Sequence, residues 1–206
     1  MRSIFFTLFL VVFLPLTAQK KVAKSILKES IHLIQIDANS CFEVVLQTST
    51  TNEILIEAQM DGEYSNELFL NLLENGNTLQ VNAGFGPNYK NPNDKLSAHK
   101  VVSIALKVTI PQFKNVKVHG TSANIIAYGE YDNLGISLSD GICRLKGLSG
   151  KVEVKTQNGN IFVEANKAII ISSSKYGTVS NNPIDDGASL YQLSTVTGDI
   201  ILNKTK

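Results

Sequence analysis

The feature that most limits the fold is a recurrence in the second half of the chain. From Asn115 onward, small or polar turn residues lead repeatedly into one aliphatic anchor. The steps are Ser122-Ala123-Asn124-Ile125, Ser139-Asp140-Gly141-Ile142, Asn158-Gly159-Asn160-Ile161, Tyr176-Gly177-Thr178-Val179 and Thr197-Gly198-Asp199-Ile200. Successive anchors are 17, 19, 18 and 21 residues apart. Ahead of most anchors stands an alternating apolar pair: Val116 and Val118, Ile136 and Leu138, Val152 and Val154, Ile169 and Ile171. Two strands per period and a glycine-type corner are what a parallel β-helix needs, because each coil must turn sharply and stack its aliphatics on the next. A single coil buries nothing by itself; each aliphatic buried between coils contributes roughly 1.5 to 3 kcal/mol. The alternative is a β-sandwich, whose turns recur about every 8 to 12 residues. Turn chemistry repeated at one phase favours the β-helix.

The first half reads as β structure of a different kind. Runs rich in Ile, Val and Leu predict strands over Ile31 to Asp37, Phe42 to Gln47, Ile54 to Met60, Leu68 to Leu73, Thr78 to Ala83 and Val101 to Ile110. Val22 to Glu29 is the one stretch that reads as a short helix. Asn75-Gly76 between two apolar runs is a hairpin signal, since glycine accepts the positive φ such turns demand. The expected organisation is a leader over residues 1–19 and a single β domain over 20–206. Within that domain, an antiparallel region over 20–111 caps coils over 112–206. A stack with open ends offers unpaired backbone to passing strands, and Lys204 and Lys206 would discourage pairing at the far end.

Met1 to Gln19 carries one charge, Arg2, then an apolar run from Ile4 to Leu14 broken only by Thr7, then Pro15 to Gln19. This is the pattern of a secretory signal peptide cut after Ala18 or Gln19. The run is shorter than the roughly 20 residues that span a bilayer. No second run of membrane length follows, so the expected product is not membrane-spanning after cleavage. A lipoprotein anchor needs a cysteine at the cleavage point, and the first one is Cys41. Without the leader, 18 basic residues face 18 acidic ones, which excludes a polyanion-binding surface and with it nucleic acid as a partner. In an oxidising compartment Cys41 and Cys143 either form one disulfide or remain two separately buried small residues.

Residues able to carry catalysis are scattered. His32, His99 and His119 share no ligand spacing, so no metal site is expected. Asp140 and Asp199 occupy similar corners but would lie three coils apart, too far to share an ion. Asp185-Asp186 reads as a solvated turn. Gly147-Leu148-Ser149-Gly150 lacks the spacing of a nucleophile elbow. The positions between the inward pairs, Lys117, Ser137, Glu153 and Ile170, form a mixed column without an acid and base. No catalytic residue and no cofactor follow from this reading. The candidate ligand-binding residues are Asn88, Tyr89 and Asn91, in a long segment from Gly84 to Ala98 between two strands. Tyr128, Tyr131 and Tyr176 are further surface candidates. The chain has no Trp, which weakens a glycan platform.

At Val108-Thr109-Ile110-Pro111, followed by Val116-Lys117-Val118-His119-Gly120-Thr121-Ser122-Ala123-Asn124-Ile125, the chain resembles an exported bacterial family. An apolar strand ending in Pro, a short spacer and a strand running into a Gly-Ser-x-x-Ile-type turn are similar to the auto-transporter adhesin, head GIN domain family. Related exported β-strand-repeat proteins of unknown function share the pattern. The resemblance covers roughly Ile31 to Leu202. It implies a right-handed β-solenoid in the envelope of a Gram-negative bacterium of the Bacteroidetes type, in the periplasm, at the outer membrane or on the surface. It also implies a non-enzymatic role in adhesion or envelope scaffolding, with an unknown surface protein or glycan as partner. The alternative is a periplasmic sensing or glycan-binding module.

Overall fold

The computed structural model describes residues 20–27, 29–62, 65–86, 89 and 102–205. They are all-β, with no α-helix among them. The strands are β1 (Lys20–Leu27), β2 (Leu33–Asp37), β3 (Glu43–Ser49), β4 (Glu53–Gly62), β5 (Leu68–Asn75), β6 (Thr78–Phe85), β7 (Val102–Pro111), β8 (Asn115–Gly120), β9 (Asn124–Leu138), β10 (Cys143–Thr156), β11 (Ile161–Ala165), β12 (Lys167–Ser174), β13 (Asp185–Thr195) and β14 (Ile200–Lys204). All 14 belong to one hydrogen-bonded sheet that folds back on itself around a single apolar core.

The folding-back occurs inside β9 and β10. Residues 124–128 of β9 pair with β3, whereas residues 133–138 pair with β8. β10 follows β9 through the same bend, with register shifts between Lys146 and Leu148 and between Ser149 and Lys151. Gly150 sits at this bend with φ of 106°, where an added Cβ would lie 1.8 Å from the Tyr131 carbonyl oxygen. The sheet therefore forms two stacks. One runs β1, β4, β7, β3, first half of β9, first half of β10, β11, β14. The other runs β5, β6, β2, β8, second half of β9, second half of β10, β13, β12. Pairing is antiparallel for β1 with β4, β4 with β7 and β5 with β6, and parallel in every other pair of named strands.

Parallel register aligns like with like. In the first stack Val44, Ile125, Cys143, Ile161 and Ile200 form one buried column. In the second, Val81, Ile36, Val118, Ile136, Val154 and Leu193 form another. Period-two alternation puts the residues between them outside. Where the sheet bends, two buried tyrosines satisfy backbone carbonyls: Tyr131 Oη donates to Tyr128 O (3.2 Å) and Tyr191 Oη to Leu148 O (2.6 Å).

The corners explain the repeating turn residues. Gly141, Gly159, Gly198 and Gly177 lie one above another, and a Cβ on Gly159, Gly198 or Gly177 would come within 2.1 to 2.2 Å of the carbonyl oxygen of Gly141, Gly159 or Gly198 respectively. Beside them, amide and carboxylate side chains cap the next rung. Asn124 Oδ1 accepts from Ile142 N, Asn160 Oδ1 from Asp199 N, and Asp199 Oδ1 from Thr178 N, at 2.7 to 3.1 Å. Small residues are required by the rung spacing of about 4.8 Å, and Asn or Asp by the free N–H groups at each turn.

Several expectations change. Val22 to Glu29 is not a helix: residues 20–27 form β1, paired antiparallel along β4. The anchor of the second step is Cys143 rather than Ile142, because the corners are equal in length: Gly120, Leu138 and Thr156 stack on one another, and so do the residues five further on, Ile125, Cys143 and Ile161, evenly 18 residues apart. The last two rungs exchange places. Ile200 stacks directly on Ile161, and Val179 bridges Ile200 from beyond it, because β13 inserts between β10 and β12. Ile169 and Ile171 point outward, at 46% and 58% exposed, while Ala168 is buried. A run of three isoleucines carries no parity, and a bulge after Lys167 decides it. Finally, β2 and β3 are inserted in the parallel stacks, β2 between β6 and β8 and β3 between β7 and β9. The Asn75-Gly76 hairpin is as expected: β5 pairs β6 antiparallel, with Asn75 opposite Thr78 and Gly76 at φ 60°.

Candidate functional site

The outer face of the second stack is ordered by register. One outward column reads Leu33, Asn115, Asn133, Lys151, Leu190. The next reads Gln35, Lys117, Gly135, Glu153, Gln192. Gly135 contributes no side chain between Lys117 and Glu153, which leaves a shallow groove of about 530 Å³ rimmed by His32 and Asn77. Its floor is apolar at Leu33, Gly135 and Leu190, and its walls carry amides and two lysines.

These polar groups are ordered by one another. Asn133 Nδ2 donates to Asn115 Oδ1 (2.7 Å), and Asn115 Nδ2 approaches the His32 carbonyl (3.4 Å). Glu153 pairs with Lys155. Among the described residues Lys117 and Lys151 have no ion-pair partner. Such a surface offers hydrogen bonds and positive charge to a ligand lying across several rungs. Its one carboxylate is Glu153, which faces Lys155. Among the described residues no three His, Cys, Asp or Glu side chains converge, and no buried side-chain nitrogen or oxygen lacks a partner.

The residues singled out from sequence fall elsewhere. Tyr89 is half-buried and stacks on Phe85, with ring centroids 4.1 Å apart and planes 12° apart. Asn88, Asn91 and His99 lie outside the described residues, as does the leader of residues 1–19. The segment expected to begin at Gly84 begins later, because β6 runs to Phe85. Tyr131 is a core residue at 1% exposed, not a surface one. Tyr128 is exposed and hydrogen-bonds Gln47 Oε1. Tyr176 is 71% exposed beneath the Lys175 ammonium, 4.9 Å from its ring centroid. His119 is exposed and His32 sits on the groove rim.

Cys41 and Cys143 are both free and buried, and burial pushes each thiol up to about 12. Cys143 lies in the central column; Cys41 precedes β3, next to the Asp37 carboxylate whose charge adds to the shift. The aspartates are structural. Thr178 donates to Asp199 from both its backbone N–H and its hydroxyl, holding that carboxyl below the usual carboxylate range. Lys204 does the same to Asp185 through a 2.7 Å ion pair. Asp140 accepts from Gly141 N. Because the last rungs exchange, Asp199 is two rungs from Asp140 rather than three. Gly147 to Gly150 forms the bend in β10, with Leu148 buried.

The groove itself escaped the sequence reading, which compared Lys117, Ser137, Glu153 and Ile170. The aligned set is Lys117, Gly135, Glu153 and Gln192. An even step of 18 residues from Asn115 and Lys117 reaches Asn133 and Gly135, then Lys151 and Glu153, and would have found it.

Among the described residues no helix is long and apolar enough to cross a membrane. The sequence matches no family model, and no curated protein matches it. Solved structures do. A candidate cell adhesion protein from Clostridium sporogenes is 10% identical, with a TM-score of 0.64 over 91% of this chain and all of that one. A candidate adhesin from Bacteroides fragilis is 13% identical, with a TM-score of 0.43 over 90% of this chain and 97% of that one. At 10% identity the Clostridium likeness shows that the two chains share a fold.

Proposed function

We propose that this chain is an exported, non-enzymatic β-solenoid of the bacterial cell envelope, related to the head GIN domain adhesins, that works by contact through the outer face of its second stack. The carrying observation is the face itself: five strands in register present parallel columns of amides, lysines and small apolar residues, with one carboxylate, Glu153, in the groove. A face ordered in register suits adhesion to an extended partner. The name of the Clostridium structure, a candidate cell adhesion protein, agrees with that reading. The parallel pairing from β8 through β9 and β10 to β11 supports the solenoid reading.

The amide-lined groove favours one other reading, a periplasmic module that binds a glycan, since paired amides donate to and accept from neighbouring hydroxyls. Protease shaving of intact cells separates the two: degradation supports surface adhesion, and protection until the outer membrane is opened supports the periplasmic module. The face is tested by Gly135→Phe, which fills the groove from outside the core. The exported protein should bind immobilised envelope polysaccharide or intact cells, and the variant should lose at least tenfold in affinity with an unchanged melting temperature. Equal binding by the variant would remove this face from the function.

A further inference from the structure

We propose that the open edge of β12 is the docking site for a second copy of this chain, forming a closed twofold dimer independent of whatever the groove binds. β12 pairs with β13 on one side, and among the described residues no strand pairs with its other side. Alternate residues of this eight-residue strand thus turn their N–H and C=O groups to an open edge. The exposed face of the same strand carries Ile169 and Ile171, 46% and 58% exposed. Natural edge strands are commonly blunted by charge, proline or a covering segment. Here the one charge is Lys167, at the start of the strand, and there is no proline.

The occupant follows from the strand's own sequence and from the other end of the molecule. Antiparallel self-pairing centred on Ile170 sets Ile169 beside Ile171 of the second copy and Ile171 beside its Ile169, an apolar pair on each side of the axis. Lys167 then meets Ser173, so no like charges oppose. Head-to-tail growth is disfavoured because the opposite end is occupied: Lys20 Nζ donates to Leu68 O (2.6 Å) and Lys24 Nζ to Leu70 O (2.8 Å), on the outermost strand there. An edge that matches itself and cannot match the far end gives an isologous, closed contact and not a filament.

The test is the mass in solution of the exported chain by sedimentation equilibrium, beside the double variant Ile169→Lys/Ile171→Lys. The expected result is a concentration-dependent dimer for the natural chain and a monomer for the variant, with equal melting temperatures. A natural chain that stays monomeric, or a variant that associates as strongly, overturns the proposal. Register is checked by mixing chains carrying Ile169→Cys with chains carrying Ile171→Cys under mild oxidation, which also decides the matter if the lysine variant fails to fold. Cross-linking that exceeds that of either chain alone supports pairing about Ile170. Equal cross-linking in all three samples, or none, refutes it.

Discussion

The two ends of the stack treat the same physical problem in different ways. At the β1 and β5 end, the lysines of β1 reach across from one stack to the other and donate to the Asn66, Leu68 and Leu70 carbonyls, nearly closing the sheet into a barrel. Lys20 also lies over the Phe69 ring, 4.6 Å from its centroid. At the other end, Lys204 is drawn into an ion pair with Asp185, and β12 shows isoleucine where the first end shows lysine. An edge strand is a template for association unless something charged or bulky interrupts it. The same fold therefore carries one guarded end and one receptive end, and the difference rests on a few side chains.

The largest expected effect lies between the ends. Ile161→Asp places a carboxylate in the fully buried central column, between Cys143 and Ile200, with no cation to meet it. Burying a charge without a partner costs several kcal/mol or more, so the cooperative thermal transition should vanish by circular dichroism. A melting temperature within a few degrees of the natural chain would mean that the column does not join the two ends.

Next come the corners. Gly159→Ala sets a methyl against the Gly141 carbonyl with rungs packed on both sides, and should cost roughly 1 to 3 kcal/mol by chemical denaturation. Gly177→Ala makes the same contact with the Gly198 carbonyl at the outermost corner, where local opening is easier, and should cost less. Equal losses would say that the last rung is as firmly held as the middle.

The guarded end is probed by Lys20→Met/Lys24→Met, which keeps the stems and removes the donors. A loss of about 1 kcal/mol is expected, because both contacts are only partly buried. The sharper readout is association, which should rise as this end comes to resemble the other.

The smallest effect at neutral pH is electrostatic, and it grows only in alkali. Cys41 and Cys143 ionise near 9.0 when unfolded and near 12 when folded. The unfolded chain therefore holds fewer protons across that window, and stability falls as pH rises from about 9 to about 12. Below pH 9 the thiols leave stability unchanged. A thiol reagent at neutral pH should label neither cysteine until denaturant is added; prompt labelling would show that the core opens near one end.

Much of this was legible residue by residue. Val116 and Val118, Ile136 and Leu138, and Val152 and Val154 announce their parity because polar residues alternate with them, and the three pairs are buried as read. Gly159-Asn160 and Gly198-Asp199 announce corners because their chemistry is local: no Cβ fits, and a side-chain oxygen must cap the next N–H. Ile169-Ile170-Ile171 announces a strand and hides its faces. Val22 to Glu29 misleads because an edge strand with one exposed side and three nearby lysines has weak periodicity of either kind. The groove was hidden by a misplaced anchor, since Ile142 and Cys143 are both apolar and only the neighbouring rung selects between them.

By itself, then, the sequence determined that the chain is all-β, where most strands lie and which small residues turn each corner, because alternation and steric exclusion act over a few residues. Tertiary structure decided which rung rests on which. Isoleucine, valine and cysteine are nearly interchangeable in a buried column, so nothing local in the chain ranks Ile200 against Val179 as the neighbour of Ile161. That choice depends on β13 slipping between β10 and β12, a contact between distant segments, and from it follow the groove's far wall at Leu190 and Gln192 and the unguarded edge of β12.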